Sequence, residues 1–174
     1  MINIRKGTFE TNSSSTHSIV ITKGSEKIDI PEKISIDLSD YGFGWEYDTY
    51  NSPEEKIAYL IFGLTTETYY DNLLEATKRL DVLVKTITKW VKDVEIKGLK
   101  FTVYNGHPYF EVEDGYVDHA SDMKELIDAV LENEELLKRY LFSTDSFIAT
   151  GNDNEDGYPE IRVNYEYDEF YKGN

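Results

Sequence analysis

The chain has 174 residues, 18 Lys and Arg against 34 Asp and Glu, and a formal net charge of −16 with its three His neutral. With 40% apolar residues and no Cys, it has material for one folded core, and disulfides, thiolate metal sites and Cys nucleophiles are excluded. A surface this negative repels phosphate backbones, so direct nucleic-acid binding is not expected; no apolar run approaches the roughly 20 residues that span a bilayer.

Taken in chain order, the opening MINIRKGTFE lacks an apolar signal core, so a cytoplasmic protein with no membrane association is expected. Ser18–Thr22 reads as a strand closed by Lys23-Gly24, and Lys33–Leu38 alternates apolar and polar residues like a strand with one buried face. Tyr41-Gly42-Phe43-Gly44-Trp45 reads as a loop, because two Gly break regular structure, with its rings pinned to the body. Ser52-Pro53-Glu54-Glu55 is a helix start: Ser is a good N-cap, Pro fits the first helical position, and Glu55 completes a capping box. That helix is expected to run from Lys56 to about Phe62 and stop at Gly63.

A longer helix, roughly Thr68 to Lys92, places Leu73, Leu80, Leu83, Val84, Ile87, Trp90 and Val91 on one face. Lys78, Lys85, Lys89 and Lys92 fall on another. Leu99–Tyr104 and Pro108–Glu113 flank Asn105-Gly106-His107 as a β-hairpin, since Asn-Gly tolerates positive φ. Ser121 is placed to cap a helix to about Leu131, and Asn133 a short one through Leu141. Ser146–Thr150 and Glu160–Tyr165 read as strands around the loop 151–157. Mixed elements without a βαβ rhythm predict a single α+β domain, mainly an antiparallel sheet with three to four helices packed on one face.

The run Arg5-Lys6-Gly7-Thr8-Phe9-Glu10-Thr11-Asn12-Ser13-Ser14-Ser15-Thr16-His17 has two readings. Short polar side chains bond locally to the backbone and favour turns. Alternatively Asn12, Ser13, Ser14, Ser15 and His17, with Arg5 and Lys6 as a basic rim, hold an anion such as a nucleotide or phosphoester, in a binding protein or an enzyme. Ser15, His17 and Glu10 are the residue types of a hydrolase triad, but neighbours two apart on a strand seldom make a working pair, and no Gly-x-Ser-x-Gly elbow exists. Over residues 5–19, "RKGTFETNSSSTHSI" resembles the opening of a family of small, mostly uncharacterised phage and prophage proteins, and "SFIATGNDN" at 146–154 is similar to the same proteins. The resemblance implies a viral or prophage origin. It supplies no activity and no catalytic residue.

Other constellations fall short of their patterns. Asp153, Asn154 and Asp156 are oxygen ligands in type, yet an EF-hand loop starting at Asn152 would need Glu at position 163, which is Val163. The three His, among them His107 and His119, form no local metal pair, and Walker and Rossmann glycine patterns are absent. No catalytic residue, metal or cofactor is expected.

Charge distribution is the most informative feature. Residues 37–55 hold six acids and no Lys or Arg, with aromatic residues interleaved; residues 111–135 hold ten acids and only Lys124. B-DNA carries about one negative charge per 1.7 Å of axis, so the whole chain matches about eight base pairs. Acids with rings between them suit a basic surface that normally holds phosphates; the plainer reading is that acidity serves solubility. Together with the phage origin that the resemblance implies, the charge makes a basic host protein the expected partner, with nucleases and CRISPR effectors as candidates, inhibited in an anti-CRISPR or anti-restriction manner. The expected contacts are Asp37, Asp40, Tyr41, Trp45, Glu46, Tyr47, Asp48 and Tyr50 from the first segment, and Glu111, Glu113, Asp114 and Asp118 from the second. Neither the partner's identity nor the oligomeric state is legible.

Overall fold

The Ser52–Glu55 start folds as its residue types dictate in the computed structural model, which describes residues 15–22, 27–44, 46–65, 73–118, 123–152 and 167–173. The Glu55 N–H donates to Ser52 Oγ (3.2 Å), and the Ser52 N–H donates to Glu55 Oε2 (2.8 Å), a reciprocal capping box. The helix it opens, α1 (Pro53–Thr65), is buried at every position from Lys56 to Leu64. A helix enclosed all round is the centre of a core, not an element with a solvent face. It runs through Gly63 instead of stopping there. A methyl group at residue 63 would lie 2.6 Å from Met123 Cε and 2.7 Å from Ile127 Cδ1. The absent side chain lets the neighbouring helix close onto α1, and that packing outweighs the roughly 1 kcal/mol that Gly costs a helix interior.

Three further helices pack on α1: α2 (Leu73–Ile87), α3 (Lys124–Glu132) and α4 (Glu134–Phe142). In the expected apolar stripe Leu80, Leu83, Ile87 and Val91 are buried, with Leu73, Val84 and Trp90 partly so. The Leu136 N–H donates to Asn133 Oδ1 (3.1 Å), which caps α4 as its sequence suggested. The proposed Ser121 cap lies outside the described residues.

The strands are β1 (Ser15–Thr22), β2 (Lys33–Asp37), β3 (Gly42–Phe43), β4 (Asp48–Tyr50), β5 (Asp93–Lys97), β6 (Leu99–Tyr104), β7 (His107–Val112), β8 (Tyr116–Val117), β9 (Phe147–Asn152) and β10 (Tyr167–Gly173). The main sheet has the order β10-β1-β9-β4, antiparallel throughout. Together with the four helices it makes the protein an α+β domain. One continuous apolar cluster reaches from Ile19 on β1 to Ile148 on β9.

Beside the main sheet stand the β6–β7 hairpin and two short parallel pairs, β2–β5 and β3–β8. The hairpin turn has positive φ at both Asn105 (50°) and Gly106 (83°), as a two-residue turn of the primed type requires. His107 accordingly pairs with Tyr104 instead of lying in the turn. The parallel pairs were not anticipated. β5 falls just beyond the stretch that periodicity gave to the long helix, and β3 occupies the expected loop at 41–45. Both join strands far apart in sequence, so no turn residue announces them. The strand expected at 160–165 lies outside the described residues. No helix among the described residues is long and apolar enough to cross a membrane.

Candidate functional site

The β3–β8 pair joins the two acidic segments. Phe43 is buried between rings of α1 and β4: its centroid lies 5.0 Å from that of Tyr59, 5.8 Å from Phe62 and 4.6 Å from Tyr50. Such aromatic pairs contribute about 0.5–1.5 kcal/mol each beyond their burial. This floor sets Gly42 and Phe43 in line, and β8 docks alongside. The Asp118 N–H donates to the Phe43 carbonyl (2.8 Å) and the Tyr116 N–H to the Tyr41 carbonyl (3.4 Å).

The approach is close enough to demand glycine at 115. A Cβ at Gly115 would lie 2.2 Å from the Leu38 carbonyl oxygen and 2.7 Å from Phe62 Cζ; one at Gly42 would lie 2.7 Å from Tyr116 Cε1. Sequence reasoning missed Tyr116. Its ring rests on the shelf that Gly42 leaves open and stays 55% exposed. Nothing local marks it, because its neighbours arrive through the β3–β8 pairing.

Around this junction Asp40, Glu46 and Asp48 are exposed, as is Tyr47, while Tyr41 and Tyr50 are half-buried. The Tyr50 hydroxyl donates to the Gly42 carbonyl (3.0 Å), and the Thr150 hydroxyl donates to the Glu46 carbonyl (2.7 Å), which fixes the backbone of the segment. Burial, then the charges of Glu54, Glu55 and Asp40, push the Tyr41 hydroxyl above its ordinary pKa. Burial first, with Asp48, Tyr116 and Glu55 adding to it against a hydrogen bond from Thr150, does the same for Tyr50. Both phenols therefore stay neutral at physiological pH, as hydrogen-bonding rings within a negative field. Among the described residues no Lys or Arg forms an ion pair with Asp40, Glu46, Asp48, Glu54 or Asp114.

The expected contacts do not all join this face. Asp37 is turned to local structure: its Oδ1 accepts from the Ser39 hydroxyl (2.7 Å) and N–H (3.2 Å), and these bonds hold its carboxyl below the usual range. Glu113 pairs with Lys100 at 2.7 Å, with Glu111 and Asp114 nearby, so these acids gather at the root of the hairpin. Asp118 is half-buried beside Phe43. Trp45 lies outside the described residues.

Of the N-terminal run, Arg5, Lys6, Asn12, Ser13 and Ser14 lie outside the described residues, and Ser15 enters β1 opposite Asn152. His17 is buried, and its Nδ1 shares a hydrogen bond with the Tyr59 hydroxyl across 3.0 Å. Its ring ties β1 to α1. A cleft of about 290 Å³ beside the start of α1 is lined by Asp29, Asn51, Pro53, Glu54 and Ser143 among others. Its charged side chains are both acids, which disfavours an anionic ligand there. Behind it Lys56 is fully buried and donates to the carbonyls of Leu141 (3.4 Å) and Ser143 (3.3 Å). Burial pushes its ammonium down to about 8, opposed by Glu55. The expected acidic loop beyond Asn152 and His119 lie outside the described residues.

No family model matches the chain, and no curated protein or solved structure is similar to it.

Proposed function

We propose that this is a phage-type acidic binding protein that occupies a basic, phosphate-holding surface of a host nucleic-acid-handling or defence protein, in the manner of anti-CRISPR or anti-restriction inhibitors. The observation that carries this reading is the junction at β3–β8. Asp40, Glu46 and Asp48, exposed and without an ion pair to Lys or Arg among the described residues, stand there beside the exposed rings of Tyr47 and Tyr116. Charge of one sign over a rigid floor speeds encounter with a basic partner, and exposed rings supply contact area once docked. An origin in a phage or prophage is part of the same proposal, and the resemblance of residues 5–19 supports it.

The test is affinity capture from bacterial lysate at low and moderate salt, with and without added duplex DNA, using the native chain and a D40K/E46K/D48K variant. A basic nucleic-acid-handling protein should be retained by the native chain alone, released as salt rises, and displaced by DNA. Retention that ignores both salt and DNA would sink the reading. The second reading, an anion held by the Asn12–His17 run, draws no support from His17, whose ring is enclosed against Tyr59.

A further inference from the structure

The β6–β7 hairpin carries an apolar face that the fold uses only at its root. The register pairs Leu99 with Val112, Phe101 with Phe110 and Val103 with Pro108. Alternate residues of a strand share a face, so these six lie together, with Lys100 and Glu111 on the other side. Leu99, Phe110 and Val112 pack against the core. Toward the turn the same face runs past the body: Phe101 is 61% exposed and Val103 59%. The Phe101 ring meets Phe110 edge-on, with centroids 6.0 Å apart, so the overhang continues the packed face without a break.

The acidic root of the hairpin and the net charge of the chain select its occupant. At the hairpin root Glu111, Glu113 and Asp114 surround the single ammonium of Lys100, and the chain as a whole carries −16. A second copy would bring like charge to like charge, whereas a cationic segment is drawn by the negative field and its apolar side chains cover the overhang. We propose that Phe101 and Val103 form the affinity anchor for a cationic, amphipathic segment of the basic partner, while the carboxylates steer it. This rests on the proposed function and adds where the binding strength resides.

The test titrates two short peptides of equal charge, alternating Arg-Leu and alternating Arg-Gly, into the native chain and an F101S/V103S variant by calorimetry. Both substituted side chains are mostly exposed, so circular dichroism should show an unchanged fold. The native chain should bind Arg-Leu about tenfold or more tighter than Arg-Gly, roughly 1.4 kcal/mol. The variant should lose that preference while keeping Arg-Gly binding and its salt dependence. Equal affinities in the native chain, or a preference that survives in the variant, would overturn the anchor. If Arg-Leu binds through the hairpin and Arg-Gly not at all, the anchor stands and the electrostatic reading falls; if neither binds, both fall. Sedimentation of the native chain as a dimer and of the variant as a monomer would assign the overhang to a second copy and overturn the proposal.

Discussion

Around α2, α3 and the β2–β5 pair, many acids stand beside bases; around β3, Asp40, Glu46 and Asp48 form no ion pair with a Lys or Arg among the described residues. Asp81 pairs with Lys85, Glu134 with Lys89, Asp128 with both Arg79 and Lys124, Asp93 with Lys33, Glu32 with Lys92 and Glu95 with Lys97. The lysines that sequence periodicity set out as a basic stripe are mostly matched in this way, so α2 does not present a basic face. Most of these pairs are exposed and stabilise little, about 0–1 kcal/mol each. Their consequence is for the field: among the described residues they neutralise charge locally around α2 and leave Asp40, Glu46 and Asp48 without a matching lysine. A composition alone describes a uniformly acidic molecule; among the described residues the placement of the lysines sets matched acids apart from unmatched ones.

That contrast can be broken most forcefully at Gly115. In Gly115→Val the new side chain must displace the Leu38 carbonyl and Phe62, so thermal unfolding should show a loss of about 3 kcal/mol. Binding to cationic peptides should fall with it as β8 leaves β3. An undisturbed melting temperature would mean that the close crossing does not hold the acidic segments together.

A second test concerns Lys56, whose buried ammonium belongs to neither surface. Its ammonium titrates near 8 in the folded chain against 10.5 as its ordinary value. Between these values the unfolded chain binds more protons, so stability should rise as pH increases through that window. The cost, about 3 kcal/mol, is present in full below pH 8 and gone above 10.5. Tyr140, whose hydroxyl donates to the Lys56 carbonyl, is held well above its usual range by burial, with Tyr59 adding to it, and stays neutral through much of the window. Urea unfolding of the native chain relative to Lys56→Met across this range isolates the effect. A constant difference between the two would show that Lys56 is not desolvated.

Smaller effects compare the two surfaces directly. D40K/E46K/D48K should weaken binding of an Arg-Gly peptide about tenfold at low salt and flatten its salt dependence, with stability unchanged or slightly raised by relief of repulsion. Reversing Asp81 and Glu134 instead should change peptide binding much less, since those carboxylates already face lysines. Least of all, Lys85→Ala should cost no more than about 0.5 kcal/mol, read by thermal melting, because its pair with Asp81 is exposed. Equal effects of the two charge reversals on binding would erase the distinction between the surfaces.

Much of the local structure was legible in the residues themselves. The Ser52–Glu55 box, the Asn133 cap, the Asn105-Gly106 turn and the α2 stripe depend on groups a few positions apart, where backbone geometry dictates who meets whom. What stayed illegible were the meetings of distant segments. Gly63 reads as a stop until Met123 and Ile127 are seen against it, and Gly42 reads as a loop residue until Tyr116 is laid over it. The same holds for the candidate face. By itself the sequence determined that 37–55 and 111–135 are acidic and that tyrosines lie among them. Only the tertiary structure decided that Asp37 caps a turn, that Glu113 is matched by Lys100, and that Tyr47 and Tyr116 remain exposed near unpaired acids. The reason is physical: charge is a property of residues, whereas a field depends on which of them the packing of α1 and the β3–β8 pairing bring side by side.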